Sequence, residues 1–514
     1  MRSNVAASPV MPAPGRPGRA AGTIEILYGS LGPVALAALV TGLPIVFHLA
    51  SQAAGIATCT LLALIVANFA APTIPTVLIF SYVFQNLFVA LVSPHIDSLD
   101  QLNAIRAYNF LLTAVIWVVL AASYAMNRSG VEKRMRLLMD VTTGALVLIG
   151  VYFVIGFAFN AGSAVVYLRN IAAPFLLLQI FAIVAYRHRV SVTGVLMLVG
   201  MLALIYGYLE LFGQESLLRL VNGDVYINWR IKQDYADGVW LRDMQQTGRV
   251  MRSYLDTLQI DFLNTSLLGN LGLRVYRLVG PNFHSISFAY FLAAFGVLLA
   301  ATGRWWYAIL VLPPVIVIGS KGALVLLLLV TAALMLLHYV RGARRLWPYL
   351  AILAVYAAVG IVVGIQAKDY HVIGFIGGLR GFASNAIGHG IGAGGNLSVN
   401  VSTIDWGRFQ SLGETDVAVE SAVGVLLYQM GIAGIVVLGV LGWIAAKLWS
   451  AYRGTGDQLY AAGALGVLTI TVNGIFQEEA LFAPLALGIV LALAGLMLGR
   501  LYRTTANPST RSMG

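Results

Sequence analysis

The stretch ALVLLLLVTAALMLLHYV, residues 323–340, contains no Asp, Glu, Lys or Arg in eighteen positions. As a helix rising about 1.5 Å per residue it reaches about 27 Å, close to the roughly 30 Å hydrocarbon core of a bilayer. Both flanks fit a membrane span. RGARR, residues 341–345, follows it as a basic stop, and GSK, residues 319–321, precedes it as a tight polar turn. Before that turn the apolar run 307–319 is short and carries Pro313 and Pro314, so it is predicted to be broken, re-entrant or shielded by other helices. Further outward, apolar runs recur at 31–50, 53–71, 73–93, 107–126, 137–159, 170–186, 192–213, 285–302, 348–366, 420–446, 459–476 and 481–499. The expected fold is an all-α polytopic membrane protein with about fourteen transmembrane helices.

Composition supports this. Of 514 residues, 59% are hydrophobic and only 10% charged, with a mean hydropathy of +0.84. A soluble chain of this length would carry about a quarter of its residues as charges. Soluble enzymes, secreted disulfide scaffolds and nucleic-acid binders are excluded as classes, and the single cysteine, Cys59, permits no intramolecular disulfide. The net charge of +11 has a topological reading. With the amino terminus on the cytoplasmic side, 18 of the 32 basic residues fall on that side: Arg2, Arg16 and Arg19, the group Arg128 to Arg136, Arg187 and Arg189, Arg304, the cluster Arg341 to Arg345, Lys447 and Arg453, and Arg500, Arg503 and Arg511. The short outer connections hold only Arg106, Arg169 and Lys321, the asymmetry expected of a chain with both termini inside.

This orientation divides the chain into a disordered cytoplasmic tail (1–22), N-terminal membrane helices (23–213), a large outer loop (214–284), central membrane helices with the short broken span (285–366), a glycine-rich outer loop (367–419), C-terminal membrane helices (420–500) and a second tail (501–514). The first outer loop contains Trp229 and Trp240 and is expected to lie on the membrane as short helices.

Charges near the membrane require a pathway, a partner or a route to water. Arg169 in YLRN, Arg274 and Arg277 in LRVYRLVG, Lys321 in GSKG and Arg380 in GGLRG all fall on the outer side. Several cations beside a broken helix with free backbone N–H groups suit a diphosphate. GETDVAVE, residues 413–420, brings three carboxylates ahead of an apolar helix. Glu414 and Asp416 fit helix-start positions that answer the dipole. Glu420, at the hydrocarbon edge, is the candidate general base, with His284 in GPNFHSISFAY and His389 in GHGIGAGGN as rivals. Asn282 of the same GPNFH segment, with Tyr206, Tyr208 and Glu210 near the outer end of the seventh span, would line a sugar cleft or simply pack. Glu478 and Glu479 are expected to be a solvated pair in the last outer turn. GIGAGG, residues 390–395, has dinucleotide-fingerprint spacing but no preceding strand, and no metal-ligand spacing occurs. No cofactor or metal is expected.

Taken in order, LRVYRLVGPNFHSISFAYFLAA after a large outer loop, GSKGALVLLLL, GHGIGAGG and ESAVGVLLYQMGIAGIVVLG resemble the O-antigen ligase and Wzy polymerase superfamily of bacterial envelope proteins, across about residues 165–440. YLRN is similar to the family's outer arginine. Two positions depart from the pattern: Lys321 follows Ser320 where arginine is usual, and Glu420 stands where the ligase branch carries histidine, which favours the polymerase branch. The resemblance implies a GT-C-like architecture in the bacterial inner membrane, with the active site and both long loops facing the periplasm. It implies inverting, metal-independent transfer of a growing glycan from undecaprenyl diphosphate to a hydroxyl of a lipid-linked repeat unit. Donor and acceptor are then both undecaprenyl-diphosphate-linked oligosaccharides in the lipid bilayer, a chain-length regulator is a further partner, and nucleic acid is not one. Arg169, Arg274, Arg277, Lys321 and Arg380 become diphosphate contacts and Glu420 the base. An O-antigen ligase acting on a lipid acceptor, and a lipid-linked oligosaccharide flippase, are the alternatives.

Overall fold

The computed structural model describes residues 19–236, 238, 241, 244–245, 253–264, 273–340, 346–398 and 406–506. Trp240, the basic cluster Arg341 to Arg345, and Arg2, Arg16 and Arg511 of the tails lie outside these residues. The chain forms α1 (Arg19–Ala50), α2 (Gln52–Phe69), α3 (Ile74–Val92), α4 (Leu99–Arg106), α5 (Tyr108–Met126), α6 (Lys133–Phe159), α7 (Ala161–Arg187), α8 (Val192–Leu220) and α9 (Gly223–Ala236). A small antiparallel hairpin of β1 (Gln259–Asp261) and β2 (Arg274–Tyr276) follows. Then come α10 (Ser285–Ala301), α11 (Trp305–Ile309), α12 (Leu312–Ile318), α13 (Lys321–Tyr339), α14 (Trp347–Ala367), α15 (Tyr370–Ser384), α16 (Trp406–Leu412), α17 (Ala422–Met430), α18 (Ile432–Thr455), α19 (Gln458–Asn473), α20 (Glu478–Phe482) and α21 (Ile489–Ala506).

Eleven helical segments among the described residues are long and apolar enough to cross a membrane. Three further apolar helices are shorter, Ser285–Ala301, Trp305–Ile318 and Gln458–Asn473, and they coincide with the expected runs 285–302, 307–319 and 459–476. The chain is an all-α polytopic membrane protein.

α7 and α21 form the buried spine. Gly495 and Gly499 lie against α7 so closely that a Cβ on either would come within 2.3 Å of the Leu178 or Ala182 carbonyl oxygen. Small residues four apart let two helix backbones touch where lipid supplies no hydrophobic drive for association.

Two expectations are corrected. The loop 367–419 contains a fifteen-residue helix, α15. Its glycines at 374, 378 and 381 face α17, and a Cβ at Gly378 would meet the Gly424 Cα at 2.4 Å. These three glycines are a packing stripe, whereas Gly388, Gly390, Gly392, Gly394 and Gly395 of GHGIGAGGN lie in the turns that follow α15. The run 420–446 is not one helix, because α17 ends after nine residues and Gly431, at φ 55° and ψ −131°, turns the chain into α18. A side chain at Gly431 would strike the Ala386 carbonyl, which accepts the Ile432 N–H at 2.9 Å. The short span 307–319 is broken, as its prolines require, into α11 and α12.

Candidate functional site

Near the start of α7, Tyr167 is fully buried, and its hydroxyl donates to Glu478 Oε1 at 2.5 Å. That hydroxyl also accepts the Leu397 N–H at 3.0 Å, while the Asn396 N–H donates to Glu478 Oε2 at 2.9 Å. Asn396 passes the contact on, since its Oδ1 accepts the Glu420 N–H at 3.0 Å. A Cβ at Gly395 would fall 1.9 Å from the Tyr167 oxygen, so the end of the glycine loop fits over this tyrosine only without a side chain. Three distant segments are thereby tied to one another around Glu420.

Glu420 itself has a left-handed backbone, φ 61°, which is costly for a residue with a side chain and persists only where the surroundings enforce it. It does not cap the helix. Ser421 is the N-cap of α17 and its Oγ accepts the Gly424 N–H at 3.1 Å, so the expectation that Glu420 leads directly into a long helix is corrected. Released from that role, the Glu420 carboxylate lies 3.5 Å from His371 Nδ1, with about a quarter of each side chain exposed. Asp369 caps α15 by accepting the His371 N–H at 2.9 Å, which fixes the histidine at the helix start.

The pair Glu478 and Glu479 is not solvated. Glu478 is 4% exposed, and burial pushes its carboxyl up to about 8. The hydrogen bonds from Tyr167 and Asn396 pull it down, whereas the charges of Glu479 and Glu420 push it further up. Burial likewise raises Glu479, which feels Glu420, His371 and Arg277. Arg277 supplies the cation. Its Nε donates to the Ile318 carbonyl at the end of α12 at 2.9 Å, and its charge interacts with Glu479 and Tyr370. The broken span thus offers a carbonyl that aims an arginine at the carboxylates.

Other expected site residues are placed elsewhere. Arg274 faces Asp261 across the hairpin at 3.7 Å and Arg380 pairs with Glu414 at 2.5 Å, all four side chains being about half exposed or more. Glu414 and Asp416 precede α17 by several residues and do not start it. Lys321 is exposed in the first turn of α13. Arg169 points away from Tyr167, toward Arg106 and Tyr82, with Arg106 over the Tyr226 ring at 5.9 Å.

His284 caps α10, its Nδ1 accepting the Ser287 N–H at 3.3 Å. His389 is not free: it stacks on Tyr428 at 4.2 Å and donates from Nδ1 to the Tyr428 carbonyl at 2.9 Å. Glu210 is completely buried and accepts the Val279 and Gly280 N–H groups at 2.6 and 2.8 Å, which pins the turn leading to Asn282 and His284. Asn282 is buried, and its carbonyl accepts from Asn86 at 2.7 Å. Tyr206 is buried and the Tyr208 hydroxyl donates to the Leu310 carbonyl at 2.8 Å. Of the two readings open for Tyr206, Tyr208 and Glu210, these three pack.

His371, Tyr370, Asn396 and Tyr167 carry no local signal in the sequence. Tyr167 stands in the quoted YLRN, two residues from the arginine that drew attention instead. Among the described residues no group of three or more His, Cys, Asp or Glu is arranged to hold a metal ion. Comparison of the chain with family models and with curated proteins gives no match.

Proposed function

We propose that the protein is a membrane glycosyltransferase of the polymerase kind, moving a growing glycan from a polyprenyl diphosphate to a hydroxyl of a lipid-linked repeat unit. The observation that carries this reading is the gathering of Glu420, His371, Glu478, Glu479 and Arg277 beside a broken helix, from four segments spread between residues 277 and 479. Such transfer needs one base and one cation. Glu420 takes the proton of the acceptor hydroxyl, and the oxygen attacks the anomeric carbon from the face opposite the diphosphate. The carbon–oxygen bond to the diphosphate breaks, and its electron pair leaves on the phosphate, whose charge Arg277 offsets. His371 orients Glu420. On this reading all fourteen apolar helices cross the inner membrane, the long segments face the periplasm and both termini face the cytoplasm.

The test is the lipid-linked glycan that accumulates when the gene is deleted. Single repeats on the outer leaflet support a polymerase. Finished chains on the lipid carrier indicate a ligase, and repeats trapped on the inner leaflet a flippase, and either overturns the proposal.

A further inference from the structure

A cavity of about 390 Å³ opens at the other end of α7, between the ends of α5 and α7 and the start of α6. Arg187, which lines it, follows Tyr167 by twenty residues, or about 30 Å of helix, so the cavity and the carboxylate cluster lie a membrane thickness apart. Met135 and Ile183 form apolar walls, while Tyr124, Asn127, Tyr186 and Arg187 supply polar ones.

The polar lining brings several donors together. Arg187 donates from Nη1 to Ser123 Oγ at 2.9 Å, and no carboxylate pairs with it among the described residues. The nearby carboxylates are committed. Asp140 receives both bonds of Arg128 Nη2, at 2.9 and 2.8 Å, and Glu132 caps α6 by accepting the Arg134 and Met135 N–H groups. The Tyr186 hydroxyl accepts the Glu132 N–H at 3.1 Å, which leaves its own proton to donate. Tyr124 lines the cavity and is 8% exposed, and its hydroxyl is buried without a partner. A buried hydroxyl left unpaired costs about 1–3 kcal/mol, so a ligand that accepts its proton is favoured. Met126, 79% exposed, lines the opening with apolar surface.

We infer that this cavity binds a phosphate group, through the Arg187 guanidinium and the Tyr124 and Tyr186 hydroxyls. A planar arginine with two convergent O–H donors matches an anion that has several acceptor oxygens. An anionic phospholipid headgroup and a small phosphate-bearing solute share this chemistry; the apolar flanks suit the former. The site is independent of the glycosyl-transfer reading, since it lies at the opposite face and shares none of those residues.

The test uses the full chain purified in detergent and examined by native mass spectrometry with dioleoyl phosphatidylglycerol, dioleoylglycerol or inorganic phosphate added. The expected result is retention of phosphatidylglycerol but not dioleoylglycerol. Arg187→Gln should weaken retention at least tenfold, Tyr124→Phe severalfold, and Arg187→Lys should keep part of it. Displacement by millimolar inorganic phosphate identifies a solute site, and resistance to it a lipid headgroup site. Wild-type retention by both Arg187→Gln and Tyr124→Phe overturns the proposal. If Arg187→Gln does not insert, Tyr124→Phe, which removes one oxygen, decides alone.

Discussion

Two regions of the molecule each bury a glutamate, and they treat it in opposite ways. Around Glu210 the chain surrounds the carboxylate with uncharged amide donors, from its own helix and from the distant turn at Val279 and Gly280. Two backbone N–H groups and the Gln214 amide point at it, and no cation or second carboxylate is needed. Around Glu478 the donors come from distant segments, and two more carboxylates, a histidine and an arginine are brought within electrostatic reach. A carboxylate satisfied by neutral amide donors holds a fold in place. One crowded by like charges destabilises its surroundings, and such strain is retained where the arrangement does work.

The sharpest way to break this comparison is Glu420→Gln, which keeps shape and hydrogen bonding and removes the basic oxygen. The protein should insert and melt like wild type, while polymer formation from purified lipid-linked repeats falls by about 10²-fold or more, the scale of general-base loss. Near-normal turnover would sink the assignment of the base.

Arg277→Ala comes next. One charge-assisted contact to a developing anion is worth roughly 2–4 kcal/mol, so turnover should fall about 30-fold or more. Arg277→Lys should recover only part, because lysine keeps the charge without the fork that also grips the Ile318 carbonyl. Full rescue by lysine would show that charge alone matters there.

Glu210→Gln probes the other region and should reverse the pattern. The new amide nitrogen faces a backbone N–H that loses its acceptor, at a cost of about 1–3 kcal/mol. The melting temperature should drop, and turnover per folded molecule should stay near wild type. Loss of turnover without loss of stability would place Glu210 with the reacting groups.

What could be read in advance differs between the regions for the same physical reason. The spans were legible because an apolar run long enough to cross lipid is a local property, and Pro313 and Pro314 announced the break between α11 and α12. The start of α18 was not, since the turn at Gly431 depends on the Ala386 carbonyl forty-five residues away. Arg277 and Glu420 stood out as charges at the membrane edge. Glu478 was misread as solvated because its burial depends on Tyr167, 311 positions distant, and His371 drew no reading because nothing nearby hints that α15 begins beside Glu420. Arg274 and Arg380 drew attention as cations, but acidic neighbours in space claim them.

Protonation of Glu478 gives a smaller effect. Its carboxyl sits at about 8 in the fold against 4.5 ordinarily, so between these values the folded chain holds a proton that the unfolded chain has released. The stability it contributes is complete below about pH 4.5 and is lost as pH rises through about 8. Wild-type melting temperature should therefore decline across this window more steeply than that of Glu478→Gln, which is neutral throughout. Parallel curves would mean that Glu478 is ionised in the fold at neutral pH.

The smallest effects are expected where cations already have exposed partners. Arg274→Ala and Arg380→Ala each remove a surface ion pair, an interaction worth roughly 0–1 kcal/mol in double-mutant cycles. If neither arginine reaches the diphosphate, each variant should melt within a degree or two of wild type and polymerise within about twofold of it. The double variant should be additive, since Asp261 and Glu414 belong to different segments. Charge removal on the partner separates a screening role from a binding one. Asp261→Asn should leave Arg274 unpaired yet harmless, whereas a diphosphate contact freed from its competitor would lower the KM for the lipid-linked donor. A tenfold loss from Arg380→Ala alone would mean that the Glu414 pair opens when substrate binds, and the site would then extend from Glu420 along α15.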